Sequence, residues 1–244
     1  MSRLSVSSAT CLALVLGACA GKAHYNPFQV PPEQLRASVK VVALGPTQVP
    51  RDLSEPELVR ARFDHLLENQ LRAGGYTVVS FGESQALWDS LAVASKGLYD
   101  PVTGQPDESK IAGFRSAVFH ELRARYGVDA LLLPAILVVP AKLDGDVARW
   151  DGTSQGAARK KFWKALLGVS HSGTIPAMSL NVRLSDGDDR ALYENRGGIQ
   201  VLAKAGVQRL EDVPRSQLFV DEERNLKAVH LALDPLLRPD IARK

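Results

Sequence analysis

The hydrophobic positions of the chain follow a helical period in some segments and a strand period in others. The β-branched run Val39–Leu44 predicts an opening strand. Ser54-Glu-Pro-Glu57 then matches a capping box with a proline in the first turn, and it predicts the start of a helix. This helix ends at Gly74-Gly75, because glycine accepts the left-handed conformation of a helix end. Its apolar side chains lie on one stripe at helical spacing: Val59, Phe63, Leu66 and Leu67.

Strand and helix patterns continue to alternate through the middle of the chain. Tyr76–Val79 predicts a second strand, and a helix is expected around Ser84–Ser95. Another helix is expected over Glu108–Tyr126, ended by Gly127. Asp129–Val139 is apolar almost throughout, which is typical of a strand covered on both faces. This part of the chain therefore predicts the order β-α-β-α-α-β.

The last part of the chain changes to a hairpin pattern followed by one helix. Apolar and polar side chains alternate over Met178–Leu184, which is the period of a half-buried strand. Asp186-Gly187 provides a turn, and Ala191–Leu202 returns as a second strand with a bulge at Gly197-Gly198. Asp221 is expected to cap the final helix.

These elements predict the fold class α/β, as a single three-layer domain over residues 39–244 with a mixed sheet. The sheet is expected to be parallel in its βαβ part, because helices cross over between the strands, and antiparallel at the hairpin. The length of the chain by itself allows one substantial domain or two small ones.

The amino terminus has the parts of an export signal in residues 1–18. An arginine precedes the apolar stretch Leu4–Leu16, which is too short for a membrane span of roughly 20 apolar residues. Leu16-Gly-Ala-Cys19 then resembles the lipobox of bacterial lipoproteins. The resemblance implies cleavage before Cys19 and a lipid on its thiol; an ordinary secretory signal is the alternative. The resemblance also implies a location. Bacterial lipoproteins held at the inner membrane tend to carry aspartate after the cysteine, so Ala20 favours the periplasmic face of the outer membrane.

The cysteines and prolines near this end support the same organisation. Cys11 and Cys19 are the only cysteines of the chain, and Cys11 lies in the segment to be removed. With Cys19 alkylated, the mature protein would have no disulfide, no thiol nucleophile and no cysteine metal ligand. Residues 19–38 are interpreted as a tether, in which Asn26-Pro27 and Pro31-Pro32 favour an extended path.

Charge and motifs exclude several classes of partner and cofactor. A formal net charge of +3 gives no reason to expect nucleic acid. No glycine-rich phosphate loop follows the first strand, where Gly45-Pro-Thr-Gln48 stands instead, so no cofactor is expected. Asp186-Gly-Asp-Asp189 lacks the later glutamate of a calcium loop and is interpreted as a solvated turn. No metal site is expected, because no close pair with ligand spacing exists among the histidines: His24, His65, His120, His171 and His230.

One motif supports a catalytic alternative. Gly152-Thr-Ser-Gln-Gly156 matches the G-x-S-x-G pattern that, in α/β-hydrolases, exposes a serine on a turn from strand to helix. Chain order then allows Asp212 or Asp221, followed by His230, to complete a triad with Ser154. Against this, the residues before Ser154 are charged where a core strand would be apolar, and His230 lies within a helical pattern. The chain is therefore expected not to be an enzyme, with a lipid-anchored serine hydrolase as the alternative.

A basic and aromatic segment is the leading candidate for contact with a partner or a membrane. A short helix here would set aromatic rings among cations, an arrangement that suits anionic lipid or a protein surface. The alternative is a loop folded back on its own domain. The segment consists of Arg159, Lys160, Lys161, Phe162, Trp163 and Lys164.

The whole order of elements resembles a group of envelope lipoproteins. This group shares the α/β fold of the curli secretion lipoprotein, the penicillin-binding-protein activator lipoproteins and the amino-terminal domain of TolB. The resemblance rests on Cys19, on Leu71-Arg-Ala-Gly-Gly-Tyr-Thr-Val-Val79, and on Tyr126-Gly-Val-Asp-Ala-Leu-Leu-Leu133. It implies a non-catalytic protein that is bound to the membrane by its lipid and binds a protein partner or self-associates, which includes an oligomeric export component.

Overall fold

The computed structural model describes residues 25–53, 55–95, 97–157, 172–205 and 210–238. The helices are α1 (Pro32–Ser38), α2 (Pro56–Ala73), α3 (Phe81–Ala94), α4 (Glu108–Tyr126) and α5 (Glu222–Leu237), with a short 3₁₀ turn at Arg215–Gln217. The strands are β1 (Val41–Leu44), β2 (Thr77–Val79), β3 (Ala130–Asp144), β4 (Val147–Trp150), β5 (Thr153–Gly156), β6 (Ser172–Ser185), β7 (Ala191–Val201), β8 (Ala203–Ala205) and β9 (Leu210–Asp212).

The main sheet is mixed, as predicted. Strand β1 pairs in parallel with β2 on one side and with β3 on the other. Strand β6 lies antiparallel between β3 and β7, so this part of the sheet has the order β2-β1-β3-β6-β7. Beyond its parallel part, β3 continues to Asp144, pairs with β4, and β4 pairs with β5. A separate two-stranded ladder joins β8 and β9.

Helices cover both faces of the sheet and give the predicted three layers. Successive side chains of a strand point to opposite faces, so Val42 and Leu44 of β1 pack with α2 and α5, whereas Ala43 packs with α3 and α4. In β3, Leu132 likewise packs on the α2 and α5 face, and Leu131 packs on the α3 and α4 face. The prediction that this apolar strand is covered on both faces is therefore confirmed.

The far halves of β3 and β6 curl with β4 and β5 around a smaller apolar core. Trp150 of β4 lies in this core, and its Nε1 donates to the carbonyl of Met178 at 3.1 Å. Strand β5 leans onto β7, where the Gly198 N–H donates to the Asp151 carbonyl at 3.0 Å. The Thr153 hydroxyl donates to the Gly198 carbonyl at 2.9 Å. These bonds close the curled end of the sheet onto itself.

The segment Tyr25–Ser38 packs on the domain, so the interpretation of these residues as an extended tether is wrong. Phe28 is buried and meets the ring of Tyr193 edge to face, with 5.1 Å between ring centroids. Pro31-Pro32 begins helix α1 rather than an extended path, because proline fits the first turn of a helix. Leu35 of α1 is buried in the main core. Apolar burial at two points therefore overrides the extended preference of the prolines.

The ends of the helices follow some of the predicted signals and not others. Helix α4 has its predicted bounds, and Gly127 ends it with a φ of +69°. Helix α2 begins at Pro56, and Glu55 at its N-cap position makes no side-chain cap bond. The capping box predicted from Ser54 stays a prediction, because Ser54 lies outside the described residues. A capping box is present at α3, where Ser80 and Glu83 cap each other.

Helix α5 closes the fold against β7. Asp221 caps it as predicted, accepting from the Arg224 N–H at 3.1 Å. The hairpin register shifts beside Gly198, which agrees with the predicted bulge. Gly197 lies so close to α5 that a Cβ atom there would stand 2.0 Å from the carbonyl oxygen of Ala228.

Candidate binding site

A cavity of about 480 Å³, called the α3–α4 cavity below, opens at the carboxyl ends of the parallel strands. Pro46 and Gln48, which follow β1, and Leu133 of β3 form part of its wall. Helix α2 follows β1 on one face of the sheet, whereas α3 and α4 follow β2 on the other. In open α/β sheets, ligands bind in the crevice where the connections change sides in this way.

Aromatic and aliphatic side chains line the cavity. Trp88 of α3 is buried and packs edge to face against Phe81 and Phe114, with ring centroids 6.5 Å and 5.7 Å away. Ile111 of α4 and Leu98 extend the apolar lining. Aromatic pairs in this geometry contribute about 0.5–1.5 kcal/mol beyond their buried area, so these rings hold one another in place.

Trp88 brings an unsatisfied donor to this wall. Its indole Nε1 is buried and has no hydrogen-bond acceptor among the described residues. Gly45 makes room for the ring at the end of β1, because a Cβ there would lie 3.3 Å from the edge of the indole and 2.9 Å from Leu133. A buried N–H without an acceptor costs about 1–3 kcal/mol, which lowers the stability of the packing at this point.

Two arginines and one carboxylate form the polar end of the cavity. The Asp189 side chain is 8% exposed and accepts from Arg115 of α4 at 3.0 Å and from Arg183 of β6 at 3.3 Å. Both guanidinium side chains line the cavity. The Ser116 hydroxyl fixes the same turn to α4 by donating to the carbonyl of Gly187. The interpretation of this turn as solvated is therefore wrong for Asp189, although Asp188 is exposed.

Exposed apolar side chains lie on the elements that line the cavity, and they are called its rim below. Val93, on the last turn of α3, is 82% exposed. The loop between α3 and α4 presents Tyr99 at 50% exposure and Val102 at 91%. A single exposed apolar side chain is common on protein surfaces. A group of them beside an apolar cavity is typical of a surface that binds another molecule. Asp89 and Glu108 add carboxylates to the lining.

The structure does not give Ser154 the environment of a hydrolase nucleophile. The turn Asp151-Gly152 joins two antiparallel strands, and Ser154 is an exposed residue in the middle of β5. The strand-to-helix turn expected at the G-x-S-x-G motif is therefore wrong. His230 lies on α5, and no hydrogen bond joins it to Ser154 in the part of the chain that the structure describes.

The structure brings one more of the predicted triad residues near Ser154. Asp221 lines a pocket together with Ser154, but its side chain caps α5, and Asp212 is an exposed residue of β9. Among the described residues, no group of three His, Cys, Asp or Glu side chains is arranged to hold a metal ion. Cys19 and the basic segment lie outside the described residues, so both stay predictions; the segment consists of Arg159, Lys160, Lys161, Phe162, Trp163 and Lys164.

The α3–α4 cavity is not predictable from sequence patterns because its parts lie far apart in the chain. Phe114 is recognisable from sequence as an apolar residue of a helix, and Trp88 stands in the helix expected around Ser84–Ser95. Nothing in the spacing shows that they face each other across one crevice. The useful signal is the connection order, because a change of sides after β1 and β2 marks the crevice once the strands are assigned.

Comparison with known proteins gives little further information. No protein-family model matches the chain, and no curated protein matches it. Among solved structures it is similar to the crystal structure of lipoprotein GNA1162 from Neisseria meningitidis, at 14% sequence identity and a TM-score of 0.30, covering 66% of this chain and 82% of that chain. This neighbour is a bacterial lipoprotein, but similarity this weak supports no function for the present chain. None of the helices within the described ranges is long and apolar enough to span a membrane.

Proposed function

We propose that this chain is a lipoprotein of the bacterial cell envelope that acts without catalysis, by binding a protein partner in the α3–α4 cavity. The lipobox at Cys19 supports the lipid anchor, and Ala20 after it supports the periplasmic face of the outer membrane as the location. The aromatic cavity and the exposed apolar rim support the binding role. The lipid attached to Cys19 supplies the membrane contact in this proposal, and no cofactor is involved.

The rim favours a protein over a small molecule as the occupant. A small ligand fills the cavity but leaves Val93 and Val102 in water, because neither residue belongs to its lining. A protein segment that places an apolar side chain in the cavity extends beyond it and also covers these residues. If the protein self-associates, the partner is a second copy of this chain.

Site-specific photo-cross-linking in the native membrane tests this proposal. A photoreactive amino acid at Val93 or Tyr99 is expected to give a discrete adduct with one protein. The matched control is Leu58 on α2, which is 62% exposed but lies with α2 on the other face of the sheet. Adducts that are the same from Leu58 and from the rim, or absent from the rim, would contradict the proposal.

Replacing each of two alanines on α3 with arginine shows whether the cavity itself is required for partner binding. Ala92 lines the cavity, whereas Ala94 is exposed on the same helix outside the lining. Ala92→Arg is expected to reduce the Tyr99 adduct by about tenfold, because a long charged side chain fills the apolar space and resists desolvation. Ala94→Arg is expected to leave the adduct unchanged. Equal loss from both variants would locate binding outside the cavity.

The absence of catalysis has its own test at Ser154. We expect no reaction of the protein with a fluorophosphonate probe, because Ser154 lies in a strand without a bonded histidine among the described residues. Labelling is measured by intact mass for wild type, Ser154→Ala and the exposed control Ser109→Ala. Labelling that disappears only in Ser154→Ala would establish the hydrolase alternative.

A further inference from the structure

The segment that follows the predicted anchor is fixed along the β7 edge of the sheet. The Glu194 N–H donates to the carbonyl of Pro27 at 2.8 Å, and the Tyr25 hydroxyl donates to the carbonyl of Glu194 at 2.7 Å. Gln29 donates its N–H to the carbonyl of Leu192 at 3.0 Å. With Phe28 buried, the chain is bound to this edge from its first described residue.

This packing leaves little chain between the predicted lipid and the domain. Residues 20–24 are all that separate Cys19 from Tyr25. An extended chain spans at most about 3.6 Å per residue, so the path from Cys19 to Tyr25 reaches about 20 Å. We infer that the β7 edge, with Tyr25 and Arg196, faces the phospholipid headgroups; this inference rests on the proposed lipidation of Cys19. The domain is thus held at the membrane surface in one orientation, and not on a long spacer.

The chemistry of this edge suits zwitterionic headgroups. Tyr25 is 63% exposed, and tyrosine is enriched at membrane interfaces because its ring is apolar and its hydroxyl polar. Arg196 is exposed beside it and offers a guanidinium group to lipid phosphates. The Glu194 side chain lines the same cleft, of about 570 Å³, and offers a carboxylate to headgroup ammonium groups. Partial burial, together with the Glu194 carboxylate, raises the pKa of the Tyr25 hydroxyl above its ordinary value.

The opposite edge of the sheet, at β2, provides a reference position that lies farther from the proposed membrane-facing edge. Strand β2 is the edge strand beyond β1, four strand spacings from β7. At about 4.8 Å per spacing, this edge lies about 19 Å farther across the sheet. Gln29 near β7 and Thr77 on β2 are both exposed. Each is therefore a suitable position for a probe.

Short-range fluorescence quenching by lipid headgroups tests the orientation. Gln29→Cys and Thr77→Cys are each made in the full chain, where an acylated Cys19 leaves the new thiol as the only one to label. The lipidated proteins are placed in vesicles of phosphatidylethanolamine and phosphatidylglycerol whose headgroups carry nitroxide. We expect the quenched fraction at Gln29 to exceed that at Thr77 at least about threefold, because the anchor reaches only about 20 Å.

A linker insertion serves as the control for reach. About twelve Gly and Ser residues inserted between residues 24 and 25 make the tether long and flexible, so the difference between the two probes is expected to disappear. Equal quenching in the original lipidated chain would overturn the orientation while leaving the anchor intact. Absence of lipid mass on Cys19 would overturn both the proposed anchor and this inference, and intact mass measured on the same samples separates the two failures.

Discussion

Replacing Gly197 with alanine is expected to destabilise the domain by about 3 kcal/mol, because β7 and α5 touch at this glycine. The new Cβ would stand 2.0 Å from the carbonyl oxygen of Ala228 and 3.0 Å from the Leu231 side chain. The Ala228 carbonyl belongs to the helix backbone, so a side-chain rotation cannot relieve the contact. Helix α5 has to move away from the sheet.

Movement of α5 breaks polar contacts that are buried in the native state. The Tyr193 hydroxyl donates to the Ala232 carbonyl at 2.6 Å, and the Asn195 amide donates to the Leu231 carbonyl at 3.0 Å. Burial raises the pKa of Tyr193, so its hydroxyl stays protonated and needs this acceptor. Losing a buried hydrogen bond costs about 1–3 kcal/mol, which adds to the loss of packing against Val229.

Gly156→Ala is the matched control for this prediction. Gly156 is also a strand glycine, but a Cβ there meets no atom within 4 Å. Urea unfolding followed by tryptophan fluorescence should show a lower midpoint for Gly197→Ala and little change for Gly156→Ala. Equal midpoints for Gly197→Ala and wild type would mean that α5 does not approach the sheet as closely as the structure shows.

The role of Gly197 illustrates which features of the fold are predictable from sequence. Periodicity identifies α4 and the apolar central strand, because burial on one face or on both leaves a pattern in consecutive residues. It also indicates a bulge at Gly197-Gly198. It does not indicate that the backbone of helix α5 packs directly against Gly197, since Gly197 and Ala228 are 31 positions apart in the chain. In the sequence, a close approach between two backbone segments is visible only as a glycine. Glycine also occurs in turns, helix caps and bulges, so it does not identify such a contact.

Short motifs are less reliable here than periodicity, for physical reasons that the structure makes clear. The G-x-S-x-G match at Ser154 reflects a tight turn at Asp151-Gly152, where both residues have positive φ values of 34° and 73°. The prolines near residue 30 favour an extended path locally, but burial of Phe28 and Leu35 outweighs that preference. The charged run ending at Asp189 predicts solvation, whereas two arginines from other elements bury its carboxylate. The turn beside Ser154 is local, whereas the contacts of Phe28 with Tyr193 and of Asp189 with Arg115 join residues that are distant in sequence.

Replacing Cys19 with alanine is expected to remove the protein from the membrane almost completely. Each CH₂ group of a buried acyl chain contributes about 0.8 kcal/mol to membrane binding, and one chain binds only marginally whereas two or more bind firmly. Without the thiol there is no attachment point for these chains. The described residues contain no helix able to span a membrane in their place. The fraction that sediments with membranes should therefore fall by more than about tenfold.

The other cysteine supplies the control, and the residue after Cys19 tests the destination. Cys11 lies in the predicted signal, so Cys11→Ala should leave both the lipid mass and the membrane fraction unchanged. Ala20→Asp should move the protein from the outer to the inner membrane, if the sorting behaviour implied by the lipoprotein resemblance holds for this chain. Intact mass and density-gradient fractionation measure all three variants. Persistence of Cys19→Ala in the membrane would show that another part of the chain binds lipid, and the segment Arg159–Lys164 would then be the first place to substitute.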